Sequence, residues 1–468
     1  MGGMAFDPII AARRFGCGLS PTIAAPRSVP EMLATLTSPD RIAENFPIED
    51  FPSFRERMAL KQREIRAGRR AKNDAERRLL ETKVRKIKGA ARRAAVGWFH
   101  MHLMRRTWTK DGFRERLTGF WADHFTTRGR AGIIKRGASP FVETAIRPNL
   151  TGKFEDLLIA AVTHPMMIDY LSQIGSIGPN SQEAQRLSER GRKNRGLNEN
   201  LAREILELHT LGVSAEYGQT DVREFAELLA GLTYHVQRGA EFREEYAEPG
   251  TKTILGRTYS GDRASFEDVK AALRDIARHP TTAHHIATKL AIHFVADTPD
   301  PNLISAMERA FFETDGALIH VYHAMLVHPS AWAPKPQNVM PPFDFMAASF
   351  RALGVPPDKM EQLNEGQSRK FLISPLNFMG HAWETPPGPD GLYEADADWI
   401  TPQALATRVQ WAMRAPRRFM NGLPDPRRFV DAAIGPSAPE PVRFAASAAE
   451  SRPEAIGLVL ISPAFQRV

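Results

Sequence analysis

The stretch Leu80-Glu81-Thr82-Lys83-Val84-Arg85-Lys86-Ile87-Lys88-Gly89-Ala90-Ala91-Arg92-Arg93-Ala94-Ala95-Val96-Gly97-Trp98-Phe99-His100-Met101-His102 places Leu80, Val84, Ile87, Ala91, Ala94, Trp98 and His102 three or four residues apart. That period puts them on one stripe of an α-helix, so this helix buries one face and runs into the body of the protein. Upstream, Ile65 is the sole large apolar residue between Lys61 and Arg78. Such a segment is helical only if its surface faces solvent. Residues 55–93 hold sixteen Lys/Arg against five Asp/Glu, a net charge of +11. The whole chain carries +8, so the remainder is −3 and the basic character belongs to one segment.

The same period signals helices over 110–126, 154–163, 165–174, 200–211, 221–230, 266–278, 281–295, 302–314, 318–327, 341–353 and 402–413. Gly212 and Gly231 follow the last periodic residues of two of them, where a left-handed C′ residue is expected. Thr401-Pro402 reads as an N-cap with Pro in the first turn. His-Pro recurs at His164-Pro165, His279-Pro280 and His328-Pro329, and reads as punctuation at helix junctions. Only Thr251 to Ser260 reads as strand, one small β-hairpin. Glu384 to Asp398 is a loop rich in Pro, Gly and acids. The expected fold is all-α: a large multi-helical body, one β-hairpin near 251–260 and a long basic helical segment. Four regions are expected: 1–54 with N-terminal helices and a linker, the basic segment 55–97, the main body 98–330, and a C-terminal helical region 331–468.

With 468 residues, 43% of them apolar, the chain can bury a large core without staples. Cys17 is its one cysteine, which excludes a disulfide framework and a Cys-based metal site within one chain. No apolar run reaches the length of a membrane-spanning helix. Arg13-Arg14 is followed by no apolar run of the kind an export signal needs, so a cytoplasmic location is expected, with export alongside a partner as the alternative.

The densest polar constellation is Asn198-Glu199-Asn200-Leu201-Ala202-Arg203-Glu204-Ile205-Leu206-Glu207-Leu208-His209-Thr210-Leu211-Gly212. On a wheel with Glu204 at 0°, Leu208 falls at about 40°, Leu201 at about 60° and Leu211 at about 340°. Glu204 thus lies inside an apolar arc, with Asn200 and Glu207 on its edge. A carboxylate among leucines must be paired, hydrogen-bonded, metal-bound or protonated. Desolvation raises its pKa, which suits a general acid or base. The structural alternative is pairing with a cation, and Arg203 and Glu207 at i and i+4 are placed to pair with each other. Upstream, Arg190, Arg192, Lys193 and Arg195 form a basic, Gly-containing loop leading to a helix N-terminus, a candidate anion-binding element. A second cluster, Phe120-Trp121-Ala122-Asp123-His124-Phe125-Thr126-Thr127, sets Asp123 beside His124 among aromatics. The candidate catalytic residues are Glu204, Glu207, His124 and Asn200, with Arg190, Arg192, Lys193, Arg195 and Arg203 for an anionic group. Any metal would fall to Glu204, Glu207 and His124; no cofactor follows from the residues.

These two clusters, together with Ala12-Arg13-Arg14-Phe15-Gly16, Pro249 to Gly256, His279 to Ala283 through Lys289-Leu290 to Phe294-Val295, Pro386 to Gly391, Trp399 and Ser462 to Phe465, resemble the bacterial family known as domain of unknown function 1800. The chain departs from the family pattern at Ala122 and Ala247, where His is usual. The resemblance implies a partner from a sulfatase-like family, domain of unknown function 1501, and no mechanism. Three functions are in contention. One is a helical acid/base or metal-assisted hydrolase acting on an anionic or saccharide-like substrate. Another is a non-enzymatic scaffold for the sulfatase-like partner. Nucleic-acid binding through residues 55–93 is third, weakened because no aromatic residue between Phe54 and Trp98 is there to stack bases.

Overall fold

A computed structural model of the chain describes residues 6–192, 196–259, 261 and 264–468. Among these the fold is helical, with two separate two-stranded antiparallel sheets. The basic segment forms a helical hairpin. Phe51–Arg69 and Asp74–Trp108 pack against each other along the turn at residues 70–73. Asn73 caps the second helix by accepting from the Glu76 N–H at 2.8 Å. As its spacing demands, that helix buries Leu80, Ala91 and Trp98 and leaves most basic side chains in water. The linker before the hairpin is shorter than the sequence suggests, because Asp50 caps a helix that already starts at Phe51.

Two apolar cores are built on this helix. Ala91 and Trp98 belong to a first core that collects residues from Ala11 to Trp332. From the very next residue on, Phe99, Leu103 and Met104 join a second core made otherwise by residues 340–468. The Asp74–Trp108 helix therefore serves both. Gly112–His124 and Pro280–Phe294 belong to the first core, and Pro342–Leu353 and Pro402–Phe419 to the second.

The His-Pro junctions are helix caps. The Nδ1 of His164, His279 and His328 accepts the backbone N–H two residues on, at 3.1, 3.2 and 3.3 Å. The expected hairpin pairs Lys252–Ile254 with Arg257–Tyr259; Ser260 lies outside the described residues. A second hairpin, absent from the sequence reading, pairs Leu232–His235 with Gly239–Phe242. It also corrects the role of Gly231. Gly212 takes the expected left-handed backbone, φ +89°, but Gly231 does not. A Cβ at Gly231 would stand 2.6 Å from the Phe242 ring, so glycine there permits the close approach of this hairpin.

Buried arginines tie the helices together. Arg105, wholly enclosed, grips Glu143 through both terminal nitrogens at 2.6 and 3.0 Å and donates to the Phe46 carbonyl. Arg147 bridges Asp40 and Glu115, with its Nη2 3.0 Å from Asp40 Oδ1. Removing one member of a buried ion pair strands the other charge. Arg147→Ala is expected to cost about 3–5 kcal/mol of stability. A urea titration with an unchanged m-value and a lowered midpoint would show it; a midpoint equal to the native protein's would contradict it.

Candidate functional site

Where the two cores meet, a cavity of about 210 Å³ opens between the Asp74–Trp108, Gly112–His124 and Pro280–Phe294 helices, the start of Pro342–Leu353, and the loop 381–399. Of its lining residues Tyr393 is half exposed. Phe120, Phe343, Trp383 and Trp399 give it aromatic walls.

Two carboxyl groups on its wall are poised near neutrality. Glu384 is partly buried, and that burial raises its pKa to about 7 against the hydrogen bond that Ser139 Oγ donates to it. Ser139 Oγ also lies 3.2 Å from His102 Nε2. Burial, together with Arg105, Arg147 and Arg106, holds the His102 imidazole neutral. With Ser139 donating to the carboxylate, His102 Nε2–H donates to the hydroxyl, and the three side chains form one chain from the helix interior to the cavity. Glu384 holds a left-handed backbone, φ +50°, a conformation that costs about 1–3 kcal/mol in a residue with a Cβ.

Asp123 is the second group. Burial raises it to about 7; the Leu392 N–H at 2.9 Å and the charge of Lys289 oppose the rise, while Glu394 and Asp390 reinforce it. The loop can lie this close because residue 391 is glycine at φ +87°: a Cβ there would sit 2.9 Å from both the carbonyl and Oδ1 of Asp123. Lys289 itself pairs with Glu394 at 2.6 Å. At the other side of the wall Asp344 bridges Arg106 and Arg116. Neutral imidazoles of His102, His124, His293 and His381, all pushed down by burial, complete the polar lining.

The candidates read from the sequence divide. His124 lines the cavity, its Nε2 3.1 Å from the His209 carbonyl and its Nδ1 without a partner among the described residues. Glu204, Glu207 and Asn200 do not line it. Glu204 is half-buried with its pKa raised to about 7 by burial, then by Glu207 and Asp390, and it makes no ion pair among the described residues. Arg203 bonds Glu207 at 3.3 Å, Glu199 at 3.4 Å and Gln219 at 3.0 Å. Asn200, Arg190 and Arg192 are exposed, while Lys193 and Arg195 lie outside the described residues. The charge of Asp390 reaches both Asp123 and Glu204, so the loop 386–392 links the two regions.

The helical wheel also needs correction beyond Glu204. The α-helix ends there and a π-helical turn spans Ile205–Thr210. Its wider winding rotates the later side chains, so His209 is buried and Leu208 is only partly so. Among the described residues no group of three His, Cys, Asp or Glu side chains is arranged to hold a metal ion, and no helix is long and apolar enough to cross a membrane.

A protein-family model, described as "Protein of unknown function (DUF1800)", matches residues 10–467. The chain belongs to that family. No curated protein and no solved structure matches it. Several stretches that carried the family resemblance now fall at the cavity: Asp123-His124, Lys289, Pro386 and Trp399 all line it. Glu384, Arg106, Arg116 and Asp344 were not among the sequence candidates. The one local signal for Glu384 was an acid opening a loop rich in Pro and Gly.

A carboxyl group raised by burial costs stability once pH exceeds its unfolded pKa, because the folded state then holds a proton that the unfolded state gives up. For Glu384 that cost is absent below about pH 4.5 and complete above about pH 7. Urea unfolding at pH 5 and pH 8 should therefore show Glu384→Gln stabilised relative to the native chain at the higher pH, by up to about 3 kcal/mol. An equal difference at both pH values would contradict the assignment.

Proposed function

We propose that the cavity is the active site of a hydrolase that works by general acid/base catalysis on a small substrate of about monosaccharide size. One observation carries this reading: Asp123 and Glu384, each with a pKa of about 7, share the wall of one aromatic-lined cavity. A proton-transfer group works best with a pKa near the working pH, and enclosed carboxyls reach that range by desolvation. Ordinary surface carboxylates are ionised at neutral pH and make poor acids.

The roles follow from the surroundings. Glu384 has no cation among the causes of its shift, so burial favours its protonated form. It is the acid, giving its proton to the leaving oxygen as the bond from that oxygen to carbon breaks. Asp123 feels Lys289 and accepts the Leu392 N–H, both of which favour its anion. It is the base, taking a proton from the water whose oxygen forms the new bond to that carbon. The overall exchange is one water for one C–O bond, with no redox change. Glu384 recovers a proton through solvent or along Ser139 and His102, whose hydrogen-bonded chain fixes the carboxyl's orientation. Phe120, Phe343, Trp383 and Trp399 supply flat apolar faces of the kind that stack on a sugar ring or an acyl group.

A panel of chromogenic glycosides and esters tests this directly. At least one class should be turned over, with kcat lowered about 10²–10⁴-fold in Glu384→Gln and in Asp123→Asn. The native pH profile should bend near 7, and Ser139→Ala should shift that limb. A panel hydrolysed no faster by the native protein than by the double variant would overturn the proposal.

A further inference from the structure

The wall of the cavity formed by Arg106, Arg116 and Asp344 has a charge imbalance that the acid/base reading does not use. Arg106 and Arg116 both pair with the single carboxylate of Asp344, Arg116 Nη1 at 3.1 Å from Oδ2. Arg106 lies on the long helix of the basic hairpin, Arg116 on Gly112–His124 and Asp344 on Pro342–Leu353, so three helices bring their charges to one spot. Apart from Asp123 and Glu384, the carboxylates lining the cavity have cations of their own. Glu115 pairs with Arg147, Glu394 with Lys289, and Asp396 with Arg467. The imidazoles beside the pair add no countercharge, since His293 is held neutral and its Nε2 stands 3.3 Å from Arg116 Nη2. At this wall two guanidiniums share one ion-paired carboxylate in a largely enclosed place, while Glu115, whose charge also acts on Arg106, is shared with Arg147.

The hydrogen-bonding inventory at the same wall is also incomplete. Arg116, almost entirely buried, has no partner for its Nε among the described residues. Neither has Trp383 Nε1, a donor, or Asn338 Oδ1, an acceptor. The Asn338 amide is fixed from behind, since its Nδ2 donates to the carbonyls of Ile292 at 2.7 Å and His293 at 3.2 Å. Guanidiniums short of carboxylates and buried donors without acceptors are both costly unless something anionic binds there.

We propose that Arg106 and Arg116 hold a singly charged oxyanion of the substrate, a carboxylate, while Asn338 Oδ1 accepts from a neighbouring hydroxyl. The substrate class is then a small hydroxylated acid or its conjugate, such as a sugar acid. Two guanidiniums already sharing one carboxylate favour a monoanion over a phosphate dianion. The assignment rests on the cavity being the substrate site, and it is independent of which group moves the proton.

Binding rather than turnover provides the test. D-glucuronate and D-glucose differ in the carboxylate, and each is titrated calorimetrically into the full-length protein. Glucuronate should bind about tenfold or more tightly than glucose, as a charge-assisted hydrogen bond implies. The preference should persist in Glu384→Gln and vanish in Arg116→Gln, with glucose binding little changed. Should Arg116→Gln not fold, Asp344→Asn supplies the opposite arm: freeing both guanidiniums should strengthen glucuronate binding. Equal affinity for the two sugars, no binding of either at tens of millimolar, or a preference that survives Arg116→Gln would overturn the proposal. Glu384→Gln that still turns over a panel substrate while glucuronate keeps its preference would remove the acid/base reading and leave the anion site standing.

Discussion

Asp344 held between Arg106 and Arg116 is the contact on which the arrangement of the protein turns. Each of the three sits on a helix whose apolar face is committed to packing, the helix of Asp344 to the second core and that of Arg116 to the first. Charges placed between two cores cannot be left alone in a medium of low polarizability, so the helices must approach until the ions meet. Arg105 with Glu143 and Arg147 with Asp40 and Glu115 apply the same constraint nearby. The outcome is a set of side chains fixed by pairing around a space that the helices do not fill.

That space becomes chemically useful because a loop closes over it. Residues 381–399 bring Trp383, Glu384, Leu392 and Trp399 to helices that are distant in sequence. The loop shields Glu384 and, by the same contact, Asp123 from much of the solvent. Burial moves both groups toward neutrality, helped at Asp123 by the charges of Glu394 and Asp390, and the hydrogen bonds from Ser139 and Leu392 restrain the shift without cancelling it. The left-handed backbone at Glu384 is a local cost borne by the packing of Trp383 against Phe99 and Phe343. Strained backbone and desolvated ionisable groups both cluster at functional sites, and Glu384 carries both.

Much of the fold was legible because it is local. The stripe from Leu80 to Trp98 lies on one continuous α-helix, and a 100° step places Leu80, Ala91 and Trp98 on its buried face. The His-Pro caps were legible for the same reason, since each bond spans two residues. Asn198 to Gly212 misled, because a π turn at Ile205 changes the step and no propensity in Ile-Leu-Glu-Leu-His-Thr announces it. The hairpin at 232–242 was too short to show alternation. Of the site, Asp123-His124 was visible as a cluster, whereas Arg106, Asp344 and Glu384 are brought together from far along the chain. Glu384 owes its pKa to a loop folded over it, and nothing in its own neighbourhood in the sequence encodes that burial.

The central claim is that the cavity keeps a carboxyl group near neutrality for proton transfer. Carbon-13 NMR of the protein labelled at glutamate carboxyls measures this directly, with the Glu384 resonance assigned by its loss in Glu384→Gln. A titration midpoint near 7 for that resonance is the predicted result. A midpoint near 4.5, in the range of ordinary glutamates, would contradict the account.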